Sequence, residues 1–231
     1  MLMEAIVQKV WDALEAEKVG VDRLELVSSI EQGGLTPNVQ TVKEILEHVS
    51  LPVQVMIRPH AKSFCYSEQD VGVIKQSIEE MIAVGASNFV FGALNKDGTV
   101  NEQLLDDIII AYPNARFTFH RAFDDSRDVM EAYQSLVRYS GNIERILTSG
   151  GKEDGVVGKA ELKMLVEQSR KTNGPVIMPG SGLNAENFTS LHPYIQAAEY
   201  HFGRGVRLNG SFQESFDLES IQIIKSTQKS S

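Results

Sequence analysis

At 231 residues the chain approaches the roughly 250 of an eight-fold β/α barrel, and its 42% hydrophobic and 23% charged content supplies one large core and excludes general disorder. A net charge of −9, with no run of Lys or Arg, sets an acidic surface against nucleic acid and anionic membranes and leaves a small molecule or a protein as partner. The single cysteine, Cys65, excludes an intrachain disulfide and an all-cysteine metal cage and suits a reducing compartment.

The first strand is predicted at Met3 to Ile6, where Glu4 breaks the apolar run. The amino terminus therefore reads as neither signal peptide nor membrane span, and a cytoplasmic location is expected. The next strands are expected near Arg23 to Val27, Val53 to Ile57 and Asn88 to Phe91. Between the second and third, Gly33-Gly34-Leu35-Thr36-Pro37 reads as a loop into a helix, with Thr36 as N-cap and Pro37 at the first helical position. His60 to Ser67 reads as a longer polar loop with the length of a lid, and Ser67 to Val84 as a helix. Further strands fall near Ala115 to Phe119, Ile143 to Leu147, Val176 to Met178 and Ala197 to His201, with a helix at Lys159 to Lys171. Three segments, beginning at Val19-Gly20, Val84-Gly85 and Ser140-Gly141, repeat one pattern of helix end, glycine, short loop and strand, because glycine accepts the left-handed conformation that ends a helix.

Strands alternating with helices of this length mean right-handed crossovers and a parallel sheet, and eight units favour closure. The expected fold is α/β, a TIM-type (β/α)8 barrel in a single domain over residues 1–225, with a doubly wound open sheet as the alternative. Residues 226–231 have nothing to bury and are expected to fray.

Alternation along a strand sends Val53, Val55 and Ile57 toward the helices and Gln54, Met56 and Arg58 toward the axis. The same test points Thr118, His120, Glu4, Glu25, Glu199 and His201 inward. Inward carboxylates need partners, and Arg58, His120 and His201 are the nearest candidates. A parallel barrel gathers strand ends at one mouth, so His120, Glu25, Arg58, His201 and Glu199 are the candidate catalytic set, with a histidine beside a carboxylate moving the proton. A satisfied polar network that merely fills the barrel is the structural alternative. Arg121 offers a second fork for an anion, unless it pairs with Asp124 or Asp125 in its own loop. Thr148-Ser149-Gly150-Gly151 and Gly180-Ser181-Gly182 would let backbone amides approach an anion, and the helix opened by Asn184 would add its positive end. Neither loop has the spacing of a dinucleotide fingerprint or a P-loop.

Asp22-Arg23-Leu24-Glu25-Leu26, Gly33-Gly34-Leu35-Thr36-Pro37, Val55-Met56-Ile57-Arg58-Pro59, Phe91-Gly92, Thr118-Phe119-His120-Arg121-Ala122-Phe123-Asp124, Arg145-Ile146-Leu147-Thr148-Ser149-Gly150 and Met178-Pro179-Gly180-Ser181-Gly182 together resemble the CutC family, named for copper homeostasis. The resemblance runs in order from about Met3 to His201. It implies a TIM-type barrel, a cytoplasmic protein, homodimers or higher homo-oligomers, and a role in copper handling through Cu(I). Glu25, Arg58, His120, Arg121, Asp124, Thr148, Ser149, Gly180, Gly182 and His201 match its pattern residue by residue. Where family members commonly carry cysteine, however, this chain has Ile6 and Val27, and Cys65 aligns with no such ligand. The soft or imidazole donors left for copper(I) are Met56, Met178, His120 and His201.

Three functions are therefore compatible with the sequence. One is copper handling. Another is a lyase, isomerase or hydrolase acting on a small phosphorylated or carboxylated metabolite through Arg58, His120 and Glu25. The last is a non-catalytic oligomeric scaffold.

Overall fold

A computed structural model describes residues 1–227. Its first half runs β1 (Leu2–Val7), α1 (Val10–Lys18), β2 (Arg23–Leu26), α2 (Val39–His48), β3 (Val53–Met56), α3 (Glu68–Ala83), β4 (Asn88–Phe91) and α4 (Glu102–Ala111). The second half runs β5 (Arg116–Phe119), α5 (Val129–Val137), β6 (Ile143–Thr148), α6 (Lys159–Thr172), β7 (Val176–Pro179), α7 (Ala185–Ile195), β8 (Glu199–Phe202) and α8 (Leu218–Thr227). All ladders are parallel, in the order β7-β6-β5-β4-β3-β2-β1-β8, and β7 packs beside β8 to complete the ring. This is the expected (β/α)8 barrel in one domain. No helix among the described residues is long and apolar enough to cross a membrane. Ser226 and Thr227 belong to α8, and the rest of the expected tail lies outside the described residues.

Local chemistry explains the element ends. Ser67 and Asp70 form a reciprocal capping box at the start of α3, and Asn184 and Asn187 do the same for α7. Gly20 and Gly85 hold the left-handed φ expected of helix-ending glycines, whereas Gly141 does not. The first turn of α2 differs from expectation: Asn38, not Thr36, is the N-cap, accepting from the Gln40 amide. Thr36 is drawn instead to the end of β3, where its Oγ1 accepts the Arg58 amide at 2.8 Å and its own amide donates to the Arg58 carbonyl at 3.0 Å. The loop after β2 is thereby sewn to the mouth.

Period-two alternation separates two apolar cores. Outward residues such as Val53, Val55, Ile57, Phe89, Phe117 and Phe119 join the helices in a continuous shell, where each buried side chain contributes about 1.5–3 kcal/mol. Inside the ring Ile6, Val27, Met56 and Val90 form a small apolar cluster near the mouth, with Ile30 and Phe212 against it. Below them the barrel is filled by charge.

Candidate active site

The lower barrel is built from an ion network that the expected pairings missed. Arg23 bridges Glu4 Oε2 and Glu199 Oε2, each at 2.5 Å, and its Nη2 reaches Met178 Sδ at 3.1 Å. Arg145 donates to Glu199 at 3.0 Å, to Thr118 at 3.2 Å and to Gln54 at 3.4 Å. Thus Arg23 and Arg145, rather than Arg58 and His120, neutralise the inward carboxylates. Glu199 opens β8, at the end of the barrel opposite the mouth, and both its partners are arginines of that plug. Met178 lies in the same layer, wholly buried.

One level higher, Glu4 Oε1 meets His201 Nδ1 at 2.8 Å, and His201 Nε2 stands 3.8 Å from Glu25 Oε2. Burial would raise the Glu4 carboxyl, but Arg23 and His201 overcome it and hold the group down at about 2. Glu25 goes the other way, pushed up to about 7 by burial and by the Glu4 charge, against the pull of His201 and Arg23. His201 is buried too, yet the charges of Glu25 and Glu4 raise it. Both neighbouring groups are therefore raised, and the titration of each depends on the charge of the other. With Nδ1 committed to Glu4, Nε2 is the nitrogen left to exchange a proton. Glu25 Oε1 is buried and has no hydrogen-bond partner among the described residues.

His120 caps the short 3-10 turn Arg121–Phe123 after β5, its Nδ1 accepting the Ala122 amide at 3.2 Å. The lone pair is thus on Nδ1, so the ring proton is on Nε2, and that buried atom has no partner. Burial and the Arg58 charge push His120 down to about 3, so it is a neutral donor and no proton carrier at pH 7. It stands beside no carboxylate, contrary to the expected pairing. The close fit requires a glycine on the next strand end, because a Cβ on Gly92 would lie 2.7 Å from His120 Nδ1. Arg58 likewise pairs with no carboxylate among the described residues. Its Nη1 donates to the Gly33 and Gly34 carbonyls at 3.2 and 3.4 Å, and its guanidinium lies 4.7 Å from the centre of the Phe64 ring. Phe64, from the polar loop between β3 and α3, also packs on His120 at 4.8 Å.

The glycine-rich loops after β6 and β7 diverge. Asp124 accepts from the amides of Ser149 and Gly151 at 3.0 Å and from the Thr148 hydroxyl at 2.5 Å, and Gly150 donates to Thr148 Oγ1. Arg121 pairs with Asp124 at 2.8 Å and reaches Ser149. The anion expected at Thr148, Ser149 and Gly150 is therefore supplied by the chain itself. After β7, Gly180 donates to the Thr148 carbonyl and lies against His201, while Ser181 and Gly182 border an open space, Gly182 with the Asp154 side chain behind it. That space is a cavity of about 550 Å³ at the mouth, whose walls include Glu25, Arg58, His120 and His201. Arg204, Gly205 and Phe212, from the stretch after β8, also line it and were not anticipated.

Glu4, Glu25 and His201 are a group whose ligand atoms lie close enough to hold a metal ion. Carboxylate and imidazole suit a borderline or hard cation better than Cu(I). The soft donors lie elsewhere: Met56 in the apolar cluster, Met178 against Arg23, and Cys65 packed on the outer core.

Comparison with known proteins agrees with this architecture. The CutC protein of Streptococcus agalactiae superposes with a TM-score of 0.81 at 25% identity, covering 88% of this chain and 98% of that one. The phosphoribosyl anthranilate isomerase of Thermococcus kodakaraensis shares the fold alone, with a TM-score of 0.62 at 14% identity over 100% of this chain and 99% of that one. The human copper homeostasis protein cutC homolog is 36% identical over 200 residues, 87% of this chain and 72% of the relative. A CutC family protein of Pasteurella multocida is 35% identical over 210 residues, 90% of this chain and 84% of the relative. The CutC family model matches residues 1–205, nearly the whole described barrel, and this chain therefore belongs to the CutC family.

Proposed function

We propose that this CutC-family barrel is an enzyme that moves a proton on a small anionic metabolite, as a lyase, isomerase or hydrolase does. The observation that carries the reading is a set of three buried polar atoms without partners among the described residues, Glu25 Oε1, Arg58 Nε and His120 Nε2, all on residues lining the mouth cavity. Burying such atoms unpaired costs about 1–3 kcal/mol each, a cost that a ligand supplying the missing partners would remove. Glu25 is the proton carrier, because its carboxyl is lifted to about 7, where it exchanges readily at neutral pH. His201, oriented by Glu4, is the relay behind it. His120 presents a fixed N–H to an oxygen that gains negative charge, and its low pKa keeps it neutral while doing so.

Incubation of the purified protein with a panel of phosphorylated and carboxylated metabolites, read by thermal unfolding, tests this. A ligand at a hundred times its Kd adds about 2.7 kcal/mol, which shifts Tm by several degrees. At least one metabolite is expected to do so for the native chain and not for a variant carrying both Glu25→Gln and His120→Ala. A panel that moves neither protein, together with no metabolite released on denaturation, would refute the proposal.

The name of the human relative points to copper, but the donors at this mouth do not fit Cu(I). The positions where thiolates would stand hold Ile6 and Val27, both packed in apolar surroundings. Titration with Cu(I) under reducing conditions is expected to give no tighter binding than a variant with His120 and His201 both changed to alanine. A native site at least ten times tighter would restore the copper reading.

A further inference from the structure

We infer that the gap between the loop after β7 and the loop after β8 is a seat for a phosphate monoester, held by the Leu183 and Gly205 amides and by Arg204. The inference deepens the proton-transfer reading by naming the substrate class: a small phosphorylated metabolite whose phosphate is anchored here and whose reacting end faces Glu25 and His120.

Charge is the first support. The ionisable groups lining the cavity are Arg58, Arg121, Arg204, His120, His201 and a single carboxylate, Glu25. That excess of cationic side chains lies in a chain of net charge −9, so the mouth opposes the sign of the rest of the protein. Arg121 is committed to Asp124, and Arg58 spends its Nη1 on carbonyls and its face on the Phe64 ring, keeping a buried Nε without a partner among the described residues. Arg204 makes no ion pair among the described residues and remains available.

Backbone geometry is the second. A Cβ on Gly205 would fall 2.0 Å from the Leu183 carbonyl oxygen, so no side chain fits and the two loops touch main chain to main chain. The Leu183 and Gly205 amides reach no acceptor among the described residues. They border one space with Gly182, whose φ of +73° only glycine adopts without strain. Asn184 and Asn187 satisfy each other's amides at the start of α7, so the capping box takes nothing from Leu183. Asp154, whose side chain packs behind Gly182 with Oδ2 on that side, turns Oδ1 to the amides of Val156 and Val157.

The neighbouring loop shows what such a turn takes when filled. After β6, the carboxylate of Asp124 occupies two amides and a hydroxyl. Among the described residues no carboxylate accepts from the amides between β7 and β8 in that way. An independent sign of a ligand comes from the opposite wall, where Glu25 and His120, each 3% exposed, leave polar atoms unpartnered. Phosphate suits the seat better than carboxylate, since its three terminal oxygens can meet two amides from separate loops and a guanidinium together.

The test is a titration of the full chain with inorganic phosphate, followed by amide ¹H–¹⁵N resonances. The Leu183 and Gly205 amides are expected to shift and saturate, acetate at equal ionic strength is expected to leave them in place, and Arg204→Glu is expected to weaken phosphate at least tenfold. Arg204 is exposed, so that variant keeps its fold, which an unchanged spectrum elsewhere verifies. Unmoved amides, equal effects of acetate, or an Arg204→Glu affinity within twofold of native would each overturn the seat. Failure of the titration thus removes the seat alone, whereas phosphate binding in a protein that answers to no metabolite removes the proton-transfer reading alone.

Discussion

Glu25→Gln is expected to lower turnover of any metabolite found for the mouth by about a hundredfold or more, while making the protein more stable at pH 8. The two effects share a cause. In the folded barrel the Glu25 carboxyl sits near 7, against an ordinary value of 4.5, because burial and the Glu4 charge oppose its ionisation. Between those values the folded state binds more protons than the unfolded one, so stability falls as pH rises, and the full cost is present above 7. Glutamine cannot ionise and escapes it. A rise of that size corresponds to at most about 3 kcal/mol, reduced by what His201 gains from the ionised carboxylate. In urea at pH 8 the variant should unfold at a higher midpoint than the native chain, with the difference vanishing near pH 4.5. A difference equal at both pH values would mean that Glu25 carries no strained charge. A substitution that stabilises and inactivates together is the signature of a residue kept for chemistry rather than for folding.

Arg23→Met is expected to have the opposite character, costing about 3–5 kcal/mol at neutral pH. Arg23 is 3% exposed and is shared by Glu4 and Glu199, so its removal leaves one carboxylate without its main counter-charge and the other with Arg145 alone. The pH dependence identifies the mechanism. Glu4 has its pKa depressed to about 2 in the native chain, so its contribution is complete above the unfolded value near 4.5 and is lost as pH falls toward 2. The gap between native and variant should therefore close over that interval. A loss below about 1 kcal/mol, or one independent of pH, would show that Arg23 is replaceable filler.

These two residues also mark what could and could not be read in advance. Arg23 precedes Glu25 by two positions on one strand, so the alternation that sent Glu25 inward sends Arg23 inward as well. Read by itself it marks only the beginning of a strand, and its partnership with two carboxylates needs the neighbouring strands. Arg145 gave no such signal. It turns inward because the β5–β6 register shifts between Phe117 and Thr118, letting Ile143 and Ile146 both face the helices. A bulge of that kind has no local sequence mark here. The stretch after β8 carries no mark of its own either, since Gly203-Arg204-Gly205 acquires meaning only beside Leu183.

Period-two alternation, glycines at helix ends and the count of βα units were enough to place eight strands, to enclose them as a barrel and to turn Glu4, Glu25, Arg58, His120 and His201 toward its axis. Which charges meet was decided by tertiary structure. Arg23 lies 176 positions from Glu199, and their contact depends on parallel registers around the ring. The proton on His120 is set by one turn amide, and the anion site after β6 is closed by a carboxylate from the preceding loop. Side-chain direction follows from backbone period, which neighbours along the chain encode. Partnership depends on distance in space, which closure of the barrel alone creates.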